Sequence, residues 1–193
     1  MKALRTVTGV VAVIDRPDVD TDQIIPKQFL KRIEKTGYGE FLFFDWAKDP
    51  DFELRRPEYA GAKILVAGRN FGCGSSREHA AWALQDYGFD VVIAPSFGDI
   101  FRQNSLNIGL VPVQVEEARD LVAFGGQELT VDLETMEIVT PDGPAIPFTL
   151  GEHERHCIME GLDEIALTLR HEDEIAAYEA RTQAPIDTLT LAR

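Results

Sequence analysis

Apolar and β-branched residues run from Thr6 to Ile14 and predict a strand. Asp15 to Asp22, with Pro17 and four aspartates, reads as a loop. Gln23 to Ile25 has the composition of a short strand, and Pro26 to Lys35 that of a helix start or ordered loop broken by Gly37 and Gly39. Asp49 to Pro57 is charged and proline-punctuated, so it is placed on the surface. Three short apolar runs follow: Ile64 to Ala67, Val91 to Ala94 and Leu110 to Val115. They alternate with helical stretches at Arg77 to Tyr87, closed by Gly88, and at Phe97 to Leu106. Strand–helix–strand–helix–strand order implies a parallel sheet with helices on its faces, an α/β fold. Glu116 to Phe124 reads as another helix. Glu128 to Asp132, Glu137 to Thr140 and Ala145 to Thr149 read as short antiparallel strands, with a turn at Pro141-Asp142-Gly143. Glu152 to Met159, ending at Gly161, and Asp163 to Arg181 are helical, and the residues from Thr182 form a loose tail.

Chemistry concentrates where the first of the three apolar runs meets its helix. Gly72-Cys73-Gly74-Ser75-Ser76-Arg77-Glu78-His79-Ala80 forms that corner. Its glycines let backbone approach a ligand without Cβ obstruction. The first amides of a helix carry partial positive charge and point outward. With two hydroxyls and a guanidinium, the corner suits a small anion, above all a carboxylate that Arg77 can hold through two parallel hydrogen bonds. A plainer reading stands beside it. Ser75 and Glu78 are spaced as a capping box, in which the serine caps an amide and the glutamate reaches back.

Other chemistries fit less well. A dinucleotide fingerprint would put glycine where Arg77 stands. No Gly-Lys-Ser/Thr completes a Walker A loop, and neither Ser75 nor Ser76 has the second glycine of a nucleophile elbow. Cys73 beside His79 hints at a thiol nucleophile, although an inert buried cysteine accounts for it more simply. Asp18, Asp20 and Asp22 alternate as calcium ligands do, but Gln23 and Phe29 occupy the positions that need glycine and glutamate. Turn chemistry explains them better. His153 and His156 lack the rest of a metalloprotease motif and read as surface or packing residues.

The 193 residues, 45% hydrophobic and 27% charged, allow one substantial core with an appended helical segment. A net charge of −14 without any Lys/Arg cluster argues against nucleic-acid or anionic-membrane binding. No apolar run approaches the length of a bilayer span, and Met1-Lys2-Ala3-Leu4-Arg5 is not followed by a signal-peptide core, so a cytoplasmic protein is expected. Two cysteines, Cys73 and Cys157, suit reduced thiols. They cannot ligate an iron–sulfur cluster, which needs three or four thiolates.

Asn70-Phe71-Gly72-Cys73-Gly74-Ser75-Ser76-Arg77-Glu78-His79-Ala80-Ala81 resembles the signature of the mobile swivel domain in the aconitase superfamily, most nearly that of the separate small subunits of isopropylmalate dehydratases. Asp20-Thr21-Asp22-Gln23-Ile24-Ile25-Pro26, Pro95-Ser96-Phe97, Asn104 and Asn107-Gly109-Leu110 agree in order. The resemblance covers at least residues 6 to 115. It implies one three-layer β/β/α swivelling domain over 1–193, with its core from about 6 to 170 and C-terminal helices after it. It also implies Ser75 as the catalytic base, with Ser76 and Arg77 holding a substrate carboxylate. Gly72, Gly74, Glu78, Asp20 and Asp22 would support the site. Phe29-Leu30-Lys31 would occupy the first three places of the substrate-selecting loop, with Arg32 departing from the usual pattern. The implied activity is the interconversion of 2- and 3-isopropylmalate in leucine biosynthesis. It would require a large subunit bearing a [4Fe–4S] cluster, with no cofactor or metal on this chain. A related hydro-lyase of citraconate, methylmalate or homoaconitate type, and a non-catalytic carboxylate-binding module, remain as alternatives.

Overall fold

The computed structural model describes residues 1–31 and 36–182. Strand β1 (Thr6–Ile14) organises it, because its two halves differ in kind. Through Val10 its side chains alternate between exposed and buried, as in a sheet with one wet face; from Val11 to Ile14 all are buried. Its partners change at the same place. Thr6 to Val10 pair antiparallel with β5 (Glu128–Asp132), and Val11 to Ile14 pair parallel with β2 (Ile64–Ala67).

Beyond β2 lie β3 (Val91–Ala94) and β4 (Val111–Gln114), both parallel. Beyond β5 lie β6 (Glu137–Val139) and β7 (Ile146–Pro147), both antiparallel. The result is one curled seven-stranded sheet in the order β4-β3-β2-β1-β5-β6-β7. All of β2 and β3 is buried, which is why their sequences read as unbroken apolar runs. Between β1 and β2 come α1 (Thr21–Ile24) and a series of 3₁₀ turns from Lys27 to Tyr59. The crossovers after β2 and β3 are helices α2 (Glu78–Tyr87) and α3 (Asp99–Ile108). The chain continues through α4 (Ala118–Leu121), β5, β6 and β7 to α5 (Glu152–Glu160), α6 (Glu164–Leu169) and α7 (Glu172–Arg181).

Three expectations change. Gln23 to Ile25 is not a strand: Thr21 to Ile24 form α1, because Asp20 and Gln23 cap each other. The Asp20 carboxylate accepts from Gln23 N at 2.8 Å, and Asp20 N donates to the Gln23 amide oxygen at 2.9 Å. The helical stretch from Asp163 divides at Arg170-His171. Thr168 Oγ1 donates to the Glu164 carbonyl at 2.9 Å, so a side chain shares an acceptor of the helical backbone near that end. Charged Asp49 to Pro57 lies on the surface except for Phe52 and Leu54, which turn into the core. Arg32 and the tail beyond Thr182 lie outside the described residues.

Candidate active site

The signature turn sits at the carboxyl ends of β1, β2 and β3, the edge of a parallel sheet where ligands bind in open α/β folds. Three loops are laced together there. Gly72 N and Cys73 N donate to the Val19 carbonyl at 2.7 and 3.2 Å, and Thr21 N donates to the Cys73 carbonyl at 3.0 Å. On the other side Phe71 N donates to the Ser96 carbonyl at 3.0 Å, Gly98 N donates to the Phe71 carbonyl at 2.9 Å, and Asn70 N donates to Ser96 Oγ at 2.8 Å. This lacing demands glycine at two places. A Cβ on Gly72, whose φ is 73°, would lie 2.2 Å from the Phe101 ring. A Cβ on Gly98 would lie 2.6 Å from the Gly72 carbonyl oxygen.

The Ser75–Glu78 capping box, the plainer reading of this spacing, does not form. Helix α2 begins at Glu78, with an extended Arg77 at its N-cap (φ −81°, ψ 115°) and no side-chain cap. Gly74, at φ 92°, and extended Arg77 hold Ser75 too far back from the first helical amides to cap them. Ser75 and Ser76 are therefore presented to solvent. Ser75 Oγ lies 3.2 Å from Thr21 Oγ1. Asn104 on α3 reaches the Ser76 carbonyl at 3.5 Å. The Arg77 guanidinium pairs with Asp22 through one nitrogen, which orients the fork and leaves other donors for a ligand. Asp20 caps α1 and packs beneath Gly74. Glu78 stands exposed in the first turn of α2.

Asp20, Asp22, Gly72, Gly74, Ser75, Ser76 and Arg77 thus gather at one edge. Phe29, Leu30 and Lys31 lie elsewhere along the chain's path, on the 3₁₀ turn Lys27–Lys31 that follows α1. Phe29 stacks on Phe41 at 4.1 Å and meets Phe44 edge-on at 4.9 Å. Leu30 is half-buried and Lys31 exposed. Among the described residues, no hydrogen bond or ion pair joins these three to the signature turn.

Burial shifts both Cys73 and His79 of the signature segment. Burial pushes the Cys73 thiol up, and the charges of Asp20 and Asp18 add to the rise, so it is no ready thiolate. Burial pushes His79 below its ordinary value; its ring packs 4.6 Å from Trp82 and 5.2 Å from Tyr38. Among the described residues no hydrogen bond links Cys73 to His79. His153 lies 3.7 Å from Cys157, and His156 lies 3.3 Å from Arg170, away from the turn. Sequence reasoning singled out Asp20 and Asp22 and gave Thr21 between them no role of its own. Its signal, a hydroxyl between two aspartates next to a helix start, marks a turn but not what the hydroxyl faces.

Residues 1–118 match the family model of the aconitase C-terminal domain, and residues 164–184 match that of the C-terminal domain of the 3-isopropylmalate dehydratase small subunit. A 3-isopropylmalate dehydratase small subunit of Koribacter versatilis is 56% identical, with 93% of this chain and 98% of that one covered. One of Bacillus subtilis is 53% identical, covering 94% and 96%. The chain belongs to the small-subunit family of 3-isopropylmalate dehydratase. A solved 3-isopropylmalate dehydratase structure of Methanocaldococcus jannaschii superposes with a TM-score of 0.67 at 30% identity, covering 90% of this chain and 99% of that one.

Membership of this hydro-lyase family implies a large-subunit partner. The residues present do not fit an iron–sulfur cluster: there are two cysteines, and among the described residues no group of three or more His, Cys, Asp or Glu is placed to hold a metal ion. Among the described residues no helix is long and apolar enough to cross a membrane.

Proposed function

We propose that this chain is the proton-transfer half of a two-chain, cytoplasmic isopropylmalate dehydratase, which interconverts 2- and 3-isopropylmalate through 2-isopropylmaleate in leucine biosynthesis. The observation that carries the reading is an exposed, uncapped Ser75 hydroxyl beside an arginine already oriented by Asp22. Arg77 and Ser76 hold the carboxylate next to the reacting carbon, and Ser75 Oγ takes that carbon's proton. The electron pair of the broken C–H bond becomes the double bond as the hydroxyl leaves with its own pair. Rehydration at the neighbouring carbon completes the isomerisation.

A serine base needs its alkoxide stabilised, since the hydroxyl is a very weak acid. The Arg77 guanidinium and the positive end of the ten-residue α2 both follow within three residues. Asp20 and Gly74 support the turn from below, and Glu78 lies at the helix start. The Phe29-Leu30-Lys31 turn supplies the apolar and cationic groups that face the substrate's variable side. A [4Fe–4S] cluster on the large subunit would supply the Lewis acid for hydroxyl departure, because the two cysteines of this chain are too few to ligate it and among the described residues no group of three or more His, Cys, Asp or Glu is placed to hold a metal ion.

Assaying the purified chain with and without the large subunit tests the reading. Expected are neither turnover nor stoichiometric iron in the chain alone, and isopropylmalate turnover once the two chains are combined. Turnover without the partner, or stoichiometric iron in this chain, would overturn it. Tight dicarboxylate binding by the chain alone, with no turnover in the complex, would point to a binding module instead.

A further inference from the structure

Thr21 is one of few polar residues in the core, with 1% of its surface exposed. A buried hydroxyl is unfavourable unless it is hydrogen-bonded. Among the described residues both of its hydroxyl's partners belong to Ser75: the Oγ at 3.2 Å and the carbonyl oxygen at 3.4 Å. The backbone around it is fixed from both sides. Thr21 N donates to the Cys73 carbonyl at 3.0 Å, and the Thr21 carbonyl accepts from Ile25 N at 3.0 Å. Its branched side chain adds stiffness at χ1. The hydroxyl is therefore aimed, and its single proton has two acceptors on one residue.

We infer that Thr21 is a positioning residue that holds the Ser75 hydroxyl in place and stabilises its ionised form; this rests on Ser75 being the base. When Ser75 is an alkoxide, the Thr21 proton is donated to Ser75 Oγ. When Ser75 Oγ has taken the substrate's carbon-bound proton, the new Ser75 hydroxyl donates to Thr21 Oγ1, and the Thr21 proton turns to the Ser75 carbonyl. No proton is gained or lost by Thr21. It exchanges one acceptor for another as the charge on Ser75 appears and disappears.

The test is a set of variants in the complex with the large subunit. Thr21→Ala and Thr21→Ser lose the same methyl group and differ only in the hydroxyl. Removing one donor from a stabilised oxyanion costs on the order of 10²–10³ in turnover, and a roughly tenfold or greater fall in kcat is expected for Thr21→Ala, with KM nearly unchanged. Thr21→Ser is expected to recover most of it. Where the alanine leaves the chain unfolded, Thr21→Val keeps the shape without the hydroxyl and is expected to show the same kcat loss. Equal kcat in the alanine and serine variants, or a change in KM alone, would overturn the inference. Ser75→Ala run alongside separates the two readings. Normal turnover there removes the base assignment itself, whereas a dead Ser75→Ala with an unaffected Thr21 series removes only the role of Thr21. In a Ser75→Ala background, Thr21→Val is expected to have no further effect on kcat.

Discussion

The signature turn and the 3₁₀-rich excursion that carries Phe29 to Lys31 are held by different means. The turn's backbone is bonded to chain far away in sequence, Val19 on one side and Ser96 on the other, so strand register sets its position. The excursion's backbone bonds are mostly to itself, as in Phe29 N to the Pro26 carbonyl and Phe44 N to that of Phe41. Among the described residues, two backbone ties reach out: Phe43 N to the Ile24 carbonyl at 2.8 Å and Tyr38 N to Asp86 at 2.9 Å. Side chains carry the rest, through the Phe29–Phe41 stack, the parallel Phe43–Trp46 pair and Arg16 over Trp46 at 4.4 Å. The difference matches the proposed division of labour. Proton transfer must be placed to within a fraction of an ångström, and a laced backbone does that. Selecting among substrates needs only surface of the right shape, which substitutions can change without disturbing the chemistry.

The largest effect should come from the turn and be blind to substrate. Ser75→Ala in the complex is expected to lower kcat by about 10²–10⁴ on every diacid tested, with the melting temperature nearly unchanged, because the serine is no cap. A normal kcat with a lowered melting temperature would restore the capping role. Arg77→Lys should raise KM on all substrates, since a charge-assisted hydrogen bond contributes about 1.5–3 kcal/mol and lysine cannot fork. A loss confined to kcat would move Arg77 from binding to chemistry.

The excursion should behave in the opposite way. Leu30→Ala is expected to lower kcat/KM for isopropylmalate roughly ten- to two-hundredfold while sparing a smaller methyl-substituted diacid. Equal losses on both would mean that Leu30 only holds its turn in place.

Gly72→Ala probes the lacing itself. The added methyl meets the Phe101 ring, and overpacking of this kind costs about 1–3 kcal/mol in a urea titration. An unchanged midpoint would show that α3 yields freely and the turn is not rigidly held.

The smallest effect concerns His79, whose pKa lies below the ordinary 6.5 because burial disfavours its charged form. The unfolded chain then binds the proton more readily. Its contribution to stability is complete above the ordinary value and is lost as pH falls from there through the folded value. Melting temperatures at pH 7.5 and 5.5 should therefore lie closer together in His79→Gln than in the unmodified chain.

Sequence alone determined much of this protein. Strand β1, the buried runs of β2 and β3, the helices between them and the glycine-, hydroxyl- and arginine-bearing turn at residues 72–77 follow from periodicity, apolar length and turn residues, which act over a few neighbours. The capping box is the instructive alternative. Ser75 and Glu78 have the spacing, but Gly74 has a positive φ and Arg77 an extended backbone, so the helix begins only at Glu78, and the cap forms instead between Asp20 and Gln23. What only the tertiary structure decided is the company each side chain keeps. Thr21 reaches Ser75 across 54 positions, and Asp22 reaches Arg77 across 55. Those meetings depend on β1 lying beside β2 in one register, which is set by burying both strands in a common core. No local pattern in residues 20–22 encodes it.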